Sequence, residues 1–517
     1  MRITISRSDI MWSYFGNILR YGANLLLLPL ILRQLPAEEV GLWYIFTAIG
    51  NLVMLMDFGF SPTLQRNIGY AWGGARRLVR NGLAEDLHQS AGADAVKTDA
   101  QGQTGDPPNA ALLLQLLHLA RRIYMGIALG ALIVNIAGGT LYIRPLVAGM
   151  PQANSILCAW AVFTLGVFIN LAAAYWMPLL TGVGRIRRAQ QANVISQLVY
   201  LLAAGLGVLL GMGLLAVALA GVLGGAVLRI VSRRFFLQIR EIHPAAAAAT
   251  TAPASTASAA TGVTAPASTA SAAAGAAARG TKELWGILWH NSWKLGLVTL
   301  GSFLILQAGT LICSLALGLE ITASYGLALQ LFTSLGNFSA VLFRSSLPLF
   351  YEARLKQDWK RIRRVFPSTV LVSWTFYLAG GVTLVLAGAP LLKLLGSGTR
   401  LPPTGFLFFM LGYTFLEFNT GTLFATFIMT GNQVPFVGPA LLSGIGVAVL
   451  TFVLVKTTRL GIWGVGLAQF LVQLVYNNWK WPHVVLKEMK MTLPGLVREG
   501  ARSLAGMRSR GETGWGN

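Results

Sequence analysis

Acidic residues are scarce in this chain: of 517 residues, 18 are Asp or Glu against 40 Lys or Arg, and charged residues of both signs make up only 11% beside 55% hydrophobic. A soluble chain carries about a quarter charged residues, so too little polar surface remains to dissolve a protein of this length. Cysteine is nearly absent. Cys158 and Cys313 both lie inside apolar runs, where a thiol behaves as a small hydrophobe, and neither a disulfide framework nor a metal site follows. Histidine is missing from the interior of those runs. His88, His118, His243, His290 and His483 all fall in expected inward loops or span ends, which counts against a membrane acyltransferase. No Walker A loop, zinc-ligand spacing or nucleophile elbow appears, and the outward connections are too short for a sugar polymerase or ligase. A soluble enzyme is excluded.

What is present is hydrophobic length. A membrane span needs about 20 mainly apolar residues, and twelve windows meet that: 11–32, 40–60, 123–144, 156–180, 193–211, 213–231, 294–317, 322–343, 368–392, 403–428, 434–455 and 460–479. The first follows Met1 and Arg2 without a small-residue cleavage site and reads as a span, not a removable signal. The expected fold is an all-α integral membrane protein of about twelve transmembrane helices.

The net charge of +22 points to nucleic acid or to an anionic membrane face as partner. The basic residues punctuate apolar runs and do not cover a globular surface, so the partners are membrane lipids and no nucleic acid is expected. Their placement also orients the chain. With both termini cytoplasmic, 32 Lys and Arg fall on inward segments, and six fall outward: Arg33, Arg144, Lys393, Arg400, Lys456 and Arg459.

Two inward insertions interrupt the pattern, at 74–120 and 233–285. The second contains Ala245–Ala278, an Ala/Ser/Thr/Pro run with an internal echo between Thr251 and Thr264, which reads as a flexible tether. The tether divides the chain into a lobe over 1–232, a linker over 233–285, a second lobe over 286–480 and a basic tail over 481–517. The lobes echo one another. The stretch Phe46 to Asn51 reappears as Phe332 to Asn337, an offset of 286 residues that also carries Pro62 onto Pro348, and Gly213 to Ala220 resembles Gly461 to Ala468. The copies run in one direction, giving a parallel repeat of two six-helix lobes with any site expected at their interface near the midplane.

Charges inside the apolar windows are costly enough to mark function. Arg20 lies about ten residues into the first window, and Ser13, Asn17, Arg20 and Asn24 share an arc of about 60° at helical spacing. Such a stripe faces protein or water and not lipid. Two readings are open: Arg20 binds an anion, its guanidinium matching phosphate oxygens with paired hydrogen bonds, or it pairs with a carboxylate such as Asp57. Asp57 and Arg66 flank the segment Phe58 to Gln65, where Gly59 and Pro62 mark a hinge or a helix end. Arg66 contacts substrate or snorkels to headgroups. Asp57 and Glu417 are the candidates for ion or proton coupling, with Tyr413 and Thr420 on the same helical face as Glu417. A hydrogen bond between helices is the alternative for Glu417. Trp43, Tyr44, Trp479 and Trp481 suit interfacial belts. No cofactor is expected beyond a proton or sodium gradient.

The opening from Arg20 through Tyr-Gly-Ala-Asn to the Leu/Pro run ending at Leu32, then Gly41-Leu42-Trp43, Asp57 to Ile68 and the Thr181 to Arg185 turn resemble a Wzx-type O-antigen or polysaccharide flippase. That is a branch of the multidrug/oligosaccharidyl-lipid/polysaccharide (MOP) exporter superfamily, with a MATE-like architecture. The resemblance implies movement of an undecaprenyl-diphosphate-linked oligosaccharide between leaflets of a bacterial inner membrane, with other polysaccharide assembly proteins as partners. It also implies cationic cavity residues meeting the pyrophosphate, and Arg20 is the best match. The two insertions depart from the family pattern, as does the lack of a deep arginine in the second half. A multidrug or organic-cation exporter of the same fold is the alternative, followed by a membrane glycan polymerase or transferase.

Overall fold

The computed structural model describes residues 22, 26–72, 109–239, 267–355, 357–431 and 435–510. Among these there is no β-strand, as expected where lipid leaves backbone groups no partner but their own helix. In chain order the helices are α1 (Ala37–Met54), α2 (Phe60–Trp72), α3 (Ala110–Val134), α4 (Thr140–Val147), α5 (Ala153–Ala172), α6 (Trp176–Gly182), α7 (Ile186–Leu209), α8 (Leu214–Leu237), α9 (Ala267–Ala316) and α10 (Leu319–Ser339). They continue as α11 (Val341–Ser345), α12 (Leu347–Leu355), α13 (Trp359–Leu394), α14 (Thr404–Glu417), α15 (Ala425–Met429), α16 (Val437–Thr457), α17 (Ile462–Val475), α18 (Asn477–Glu488) and α19 (Leu493–Arg510). A π-helical turn, Asn135–Gly139, joins α3 to α4, and another, Phe418–Phe424, joins α14 to α15.

Eight of the described helical stretches are long and apolar enough to cross a membrane, and several outrun the apolar windows. The stretches Leu112–Val147 and Trp359–Leu394 are 36 residues each, about 54 Å at helical rise against a hydrocarbon core of about 30 Å. Their ends carry charge into water, for example Arg121 and Arg122 in α3 and Lys360, Arg361, Arg363 and Arg364 in α13. The outer surface is greasy, with Leu202 and Leu206 of α7, Phe376 and Leu386 of α13 and Leu442 of α16 all exposed, as lipid contact requires.

Local sequence explains the helix ends. The side chain of Asn109 caps α3 by accepting from Leu112 N at 3.1 Å, and Asp358 caps α13 by accepting from Arg361 N at 3.0 Å. Gly213 before α8 and Gly461 before α17 have φ 56° with ψ −137° and φ 54° with ψ −127°, a region closed to most side chains. These two glycines head the sequence echo, so both copies use the same turn. Within α13, Pro367 lacks the amide a helix needs, and the hydroxyls of Ser368 and Thr369 donate back to the carbonyls of Arg364, Val365 and Phe366.

The run expected as a tether differs in its last part. From Ala267 the chain is helical and continuous with the apolar part of α9, because alanine has the highest helix propensity and the following span supplies the nucleus. Residues 245–266 lie outside the described residues. So does most of the 74–120 insertion, since α3 is already helical from Ala110.

The chain divides into two compact units, Ile49–Thr299 and Tyr21–Ala48 with Leu300–Asn517. In the first, α8 packs along α7 and α5, and α2 packs on α6. Its core joins Phe60, Leu64 and Ile68 to Leu116, Tyr124, Trp176, Leu179, Phe236 and Leu288. In the second, α13 packs against α19, α10 and α14, and α16 against α17. Its core is a phenylalanine cluster in which Phe366 meets Phe427 at 4.6 Å and Phe424 edge-on at 5.6 Å. Arg354 ties α12 to α18 through both oxygens of Glu488, at 2.8 and 2.9 Å, with its guanidinium 4.6 Å from the Phe427 ring centre.

Candidate functional site

Two polar clusters interrupt the apolar interior, one in each unit. In the first unit α1 ends in the 3-10 turn Leu55–Asp57. Phe58 at φ 44° and Gly59 at φ 72° then reverse the backbone before α2 begins. A phenylalanine in the left-handed region is uncommon and strained. It is held there by α9, where Gly296 leaves room for the Phe58 ring. The result is a break between α1 and α2 near Gly59, where the sequence pointed to a hinge or a helix end, with Pro62 in the first turn of α2, where its missing amide costs nothing.

The break presents Asp57. Its Oδ2 accepts from Ser61 N at 3.1 Å, while Oδ1 is buried without a hydrogen-bond partner. The hydroxyl of Tyr124, on α3, lies beside the Asp57 carboxylate and Ser61, and Arg229 of α8 is within electrostatic reach of it. The Tyr124 hydroxyl and the Arg229 Nε are both buried without a hydrogen-bond partner. Arg229 stands eight residues before the end of α8, about 12 Å from it at helical rise. Tyr124 thus stands between an aspartate and an arginine from two other elements, and the Arg229 Nε has donor capacity unspent. Exposed Arg121 and Arg233 add positive charge around the neighbouring Tyr175.

In the second unit Glu417 closes α14 just before the π-helical turn. Both of its carboxylate oxygens accept from Gln469 Nε2 on α17, at 2.8 and 2.9 Å. Three buried tyrosines from three helices share its electrostatic field: Tyr325 of α10, Tyr377 of α13 and Tyr413 of α14. The hydroxyls of Tyr325, Tyr413, Ser373 and Thr420 are buried without a hydrogen-bond partner. Around the π-helical turn, Trp374 Nε1 donates to Asn419 Oδ1 at 2.9 Å and Tyr377 stacks on Phe418 at 4.7 Å. Single π turns inside helices recur at functional positions because the extra residue frees backbone and re-aims side chains.

Of the residues expected from sequence, Asp57, Glu417, Tyr413 and Thr420 fall in these clusters. Arg66 sits on the exposed face of α2. Arg20, Asn17 and Asn24 lie outside the described residues. Sequence reasoning missed Arg229 and Tyr124. The signal for Arg229 was there, since apolar residues continue past it through Ile230 and Val231, but in the positive-inside count it serves equally well as the first residue of an inward connection. Gln469 and the tyrosines carry no charge, and nothing in the local pattern separates them from packing residues.

A further contact joins the sequence echo itself. In the second unit, Tyr44 of α1 donates its hydroxyl to Gln330 Oε1 of α10 at 2.7 Å. Positions 44 and 330 are equivalent under the 286-residue offset, so the bond joins the same place in the two copies. The helices approach closely here, since a Cβ on Gly326 would lie 2.5 Å from the Tyr44 ring and one on Gly41 would lie 2.4 Å from the Leu319 carbonyl oxygen.

The architecture matches solved transporters. One is the inward-facing conformation of a multidrug resistance MATE family transporter of the MOP superfamily, at TM-score 0.57 and 13% identity, covering 91% of this chain and 95% of that one. Another is a MATE protein in a bent conformation, at TM-score 0.47 and 14% identity over 93% and 96% of the two chains. An outward-facing MATE transporter of the same superfamily aligns at TM-score 0.44 and 14% identity over 94% and 97%. No family model and no curated protein matches the sequence. The chain has a MATE/MOP-like fold.

Proposed function

We propose that this protein is a flippase that carries an undecaprenyl-diphosphate-linked oligosaccharide, an O-antigen or exopolysaccharide repeat, from the inner to the outer leaflet of a bacterial inner membrane. The observation that carries the reading is Arg229. A guanidinium toward the end of a membrane-spanning helix, with its Nε buried and unpartnered beside Tyr124, is costly to keep without an anionic partner. An anionic cargo compensates that cost, and guanidinium suits a diphosphate. Arg229 therefore joins Arg20, Asn17 and Asn24 as a proposed headgroup contact, with Arg66 nearer the surface. The lobes over 1–232 and 286–480 alternate between inward and outward access without making or breaking a bond. Both termini are cytoplasmic, and other polysaccharide assembly proteins supply and receive the cargo.

Glu417 is the proposed coupling residue, with Asp57 a second. A carboxylate enclosed among tyrosines and bonded only to an amide needs a proton or a cation to neutralise it. The same feature favours a second reading, export of an organic cation, since tyrosine faces and a carboxylate hold such cargo as well. The test is flipping of a fluorescent lipid-diphosphate oligosaccharide by proteoliposomes, alongside efflux of an organic dye. Arg229→Ala should abolish flipping at normal protein levels, and Arg229→Lys should keep part of it. Dye efflux that needs Glu417 and ignores Arg229, with no flipping by the wild type, would overturn the flippase in favour of cation export.

A further inference from the structure

We infer that α19 lies along the inner membrane surface and docks the chain onto anionic lipid headgroups. The inference concerns the C-terminal helix and holds whichever cargo the protein carries. One face of α19 is seated on α13: Leu496 is fully buried, and a Cβ on Gly500 would lie 2.8 Å from the Pro367 carbonyl oxygen and 3.3 Å from Leu371 Cβ. At 100° per residue the arc beside that face carries Leu493, Val497 and Ala501, all exposed, and the next arc carries Arg498 and Arg502. Leu493 and Val497 are 50% and 41% exposed. An apolar stripe bordered by arginine is the composition of a helix that lies in the interface plane, with its apolar side in the acyl boundary and its cations among phosphates.

Position supports the same occupant. Pro367 stands just past the basic start of α13, Trp359 to Arg364. The exposed apolar residues of α13 begin at Phe376, about 13 Å further along the helix. The seat of α19 is thus the level where the charged end of a spanning helix gives way to its lipid-facing part. Lys360 and Arg364 in the first turns of α13, and Lys487 and Lys490 just before α19 in the chain, are exposed as well. Arg502 meets Glu499 at 3.2 Å, but both side chains are well exposed, and such a pair is weak. The surface charge around the apolar stripe is therefore positive, and its complement is an anionic leaflet.

The full chain, with Cys158→Ser and Val497→Cys carrying an environment-sensitive fluorophore, is reconstituted in vesicles of phosphatidylcholine with or without phosphatidylglycerol. Buried Cys313 is left in place. The label should be quenched by lipids spin-labelled near the headgroup and shielded from aqueous iodide. In the second measurement, Arg498→Gln with Arg502→Gln should lower phosphatidylglycerol affinity in native mass spectrometry by about fivefold per arginine. A label open to iodide and untouched by lipid quenchers would overturn the inference. So would an unchanged phosphatidylglycerol affinity in the double variant. Protection that instead appears in lipid-free detergent and grows with protein concentration would assign the face to a second copy of the chain and overturn it equally.

Discussion

Tyr44→Phe removes one hydroxyl and nothing else from the contact between α1 and α10. Gln330 Oε1, which accepts that hydroxyl at 2.7 Å in a part-buried setting, is then left without its donor. A net hydrogen bond contributes about 0.5–1.5 kcal/mol, so the closed population falls by about two- to twelvefold relative to the parted one. The measurement is a spin–spin distance distribution between labels at Arg33→Cys, before α1, and Glu320→Cys, at the start of α10, both exposed positions, in a background lacking Cys158. The long-distance fraction should rise by that factor. Gln330→Leu added to Tyr44→Phe should bring the distribution part of the way back, because an apolar pair leaves no orphaned acceptor. An unchanged distribution in Tyr44→Phe, or strictly additive effects in the double variant, would refute the idea that this pair holds the two echoed helices together.

Gly326→Ala should part the same helices by steric overlap, since the new Cβ would fall 2.5 Å from the Tyr44 ring; a loss of about 1–3 kcal/mol in thermal unfolding is expected. Gly213→Ala and Gly461→Ala each force a side chain into a backbone region closed to it, and should each cost about 1–3 kcal/mol, whereas Gly438→Ala, inside α16 with open space around it, should not destabilise. Gln469→Leu strips Glu417 of both its hydrogen bonds and should destabilise by about 1–3 kcal/mol; adding Glu417→Met should recover most of that, and failure to recover would show that the glutamate has other partners. A reporter active only in the periplasm, fused at residue 260, should stay silent if the 32 inward basic residues orient the chain, and activity there would reverse the topology.

Much of the fold was legible because a bilayer imposes a one-dimensional rule. Length of apolar run and placement of Lys and Arg are properties of the chain, not of its packing, so the windows at 123–144, 156–180, 193–211 and 213–231 fall on helices α3 to α8. Helix ends were less legible. The windows stop where charge begins, but α3 and α13 do not, because lysine and arginine are good helix formers and carry a helix on into water. The helix α19 went unread for a related reason: its apolar residues are too few for a span, and only their seat on α13 makes them visible.

The sites divide in the same way. Charge in an apolar run can be seen in a string of letters, and Asp57 and Glu417 were found by it. The Gly213 and Gly461 echo was also visible in the string, although only the backbone angles reveal it as one turn used twice. What the sequence by itself determined is the class: an all-helical chain whose apolar runs are long enough to cross a membrane. Tertiary structure alone decided which neutral side chains matter. Gln469, Tyr325 and Tyr377 reach Glu417 from three other helices, Tyr124 stands between Asp57 and Arg229, and Tyr44 finds its own counterpart Gln330 at 286 residues' distance. A hydrogen bond between helices depends on crossing and rotation, which are set by packing over the whole unit and leave no local trace in the chain.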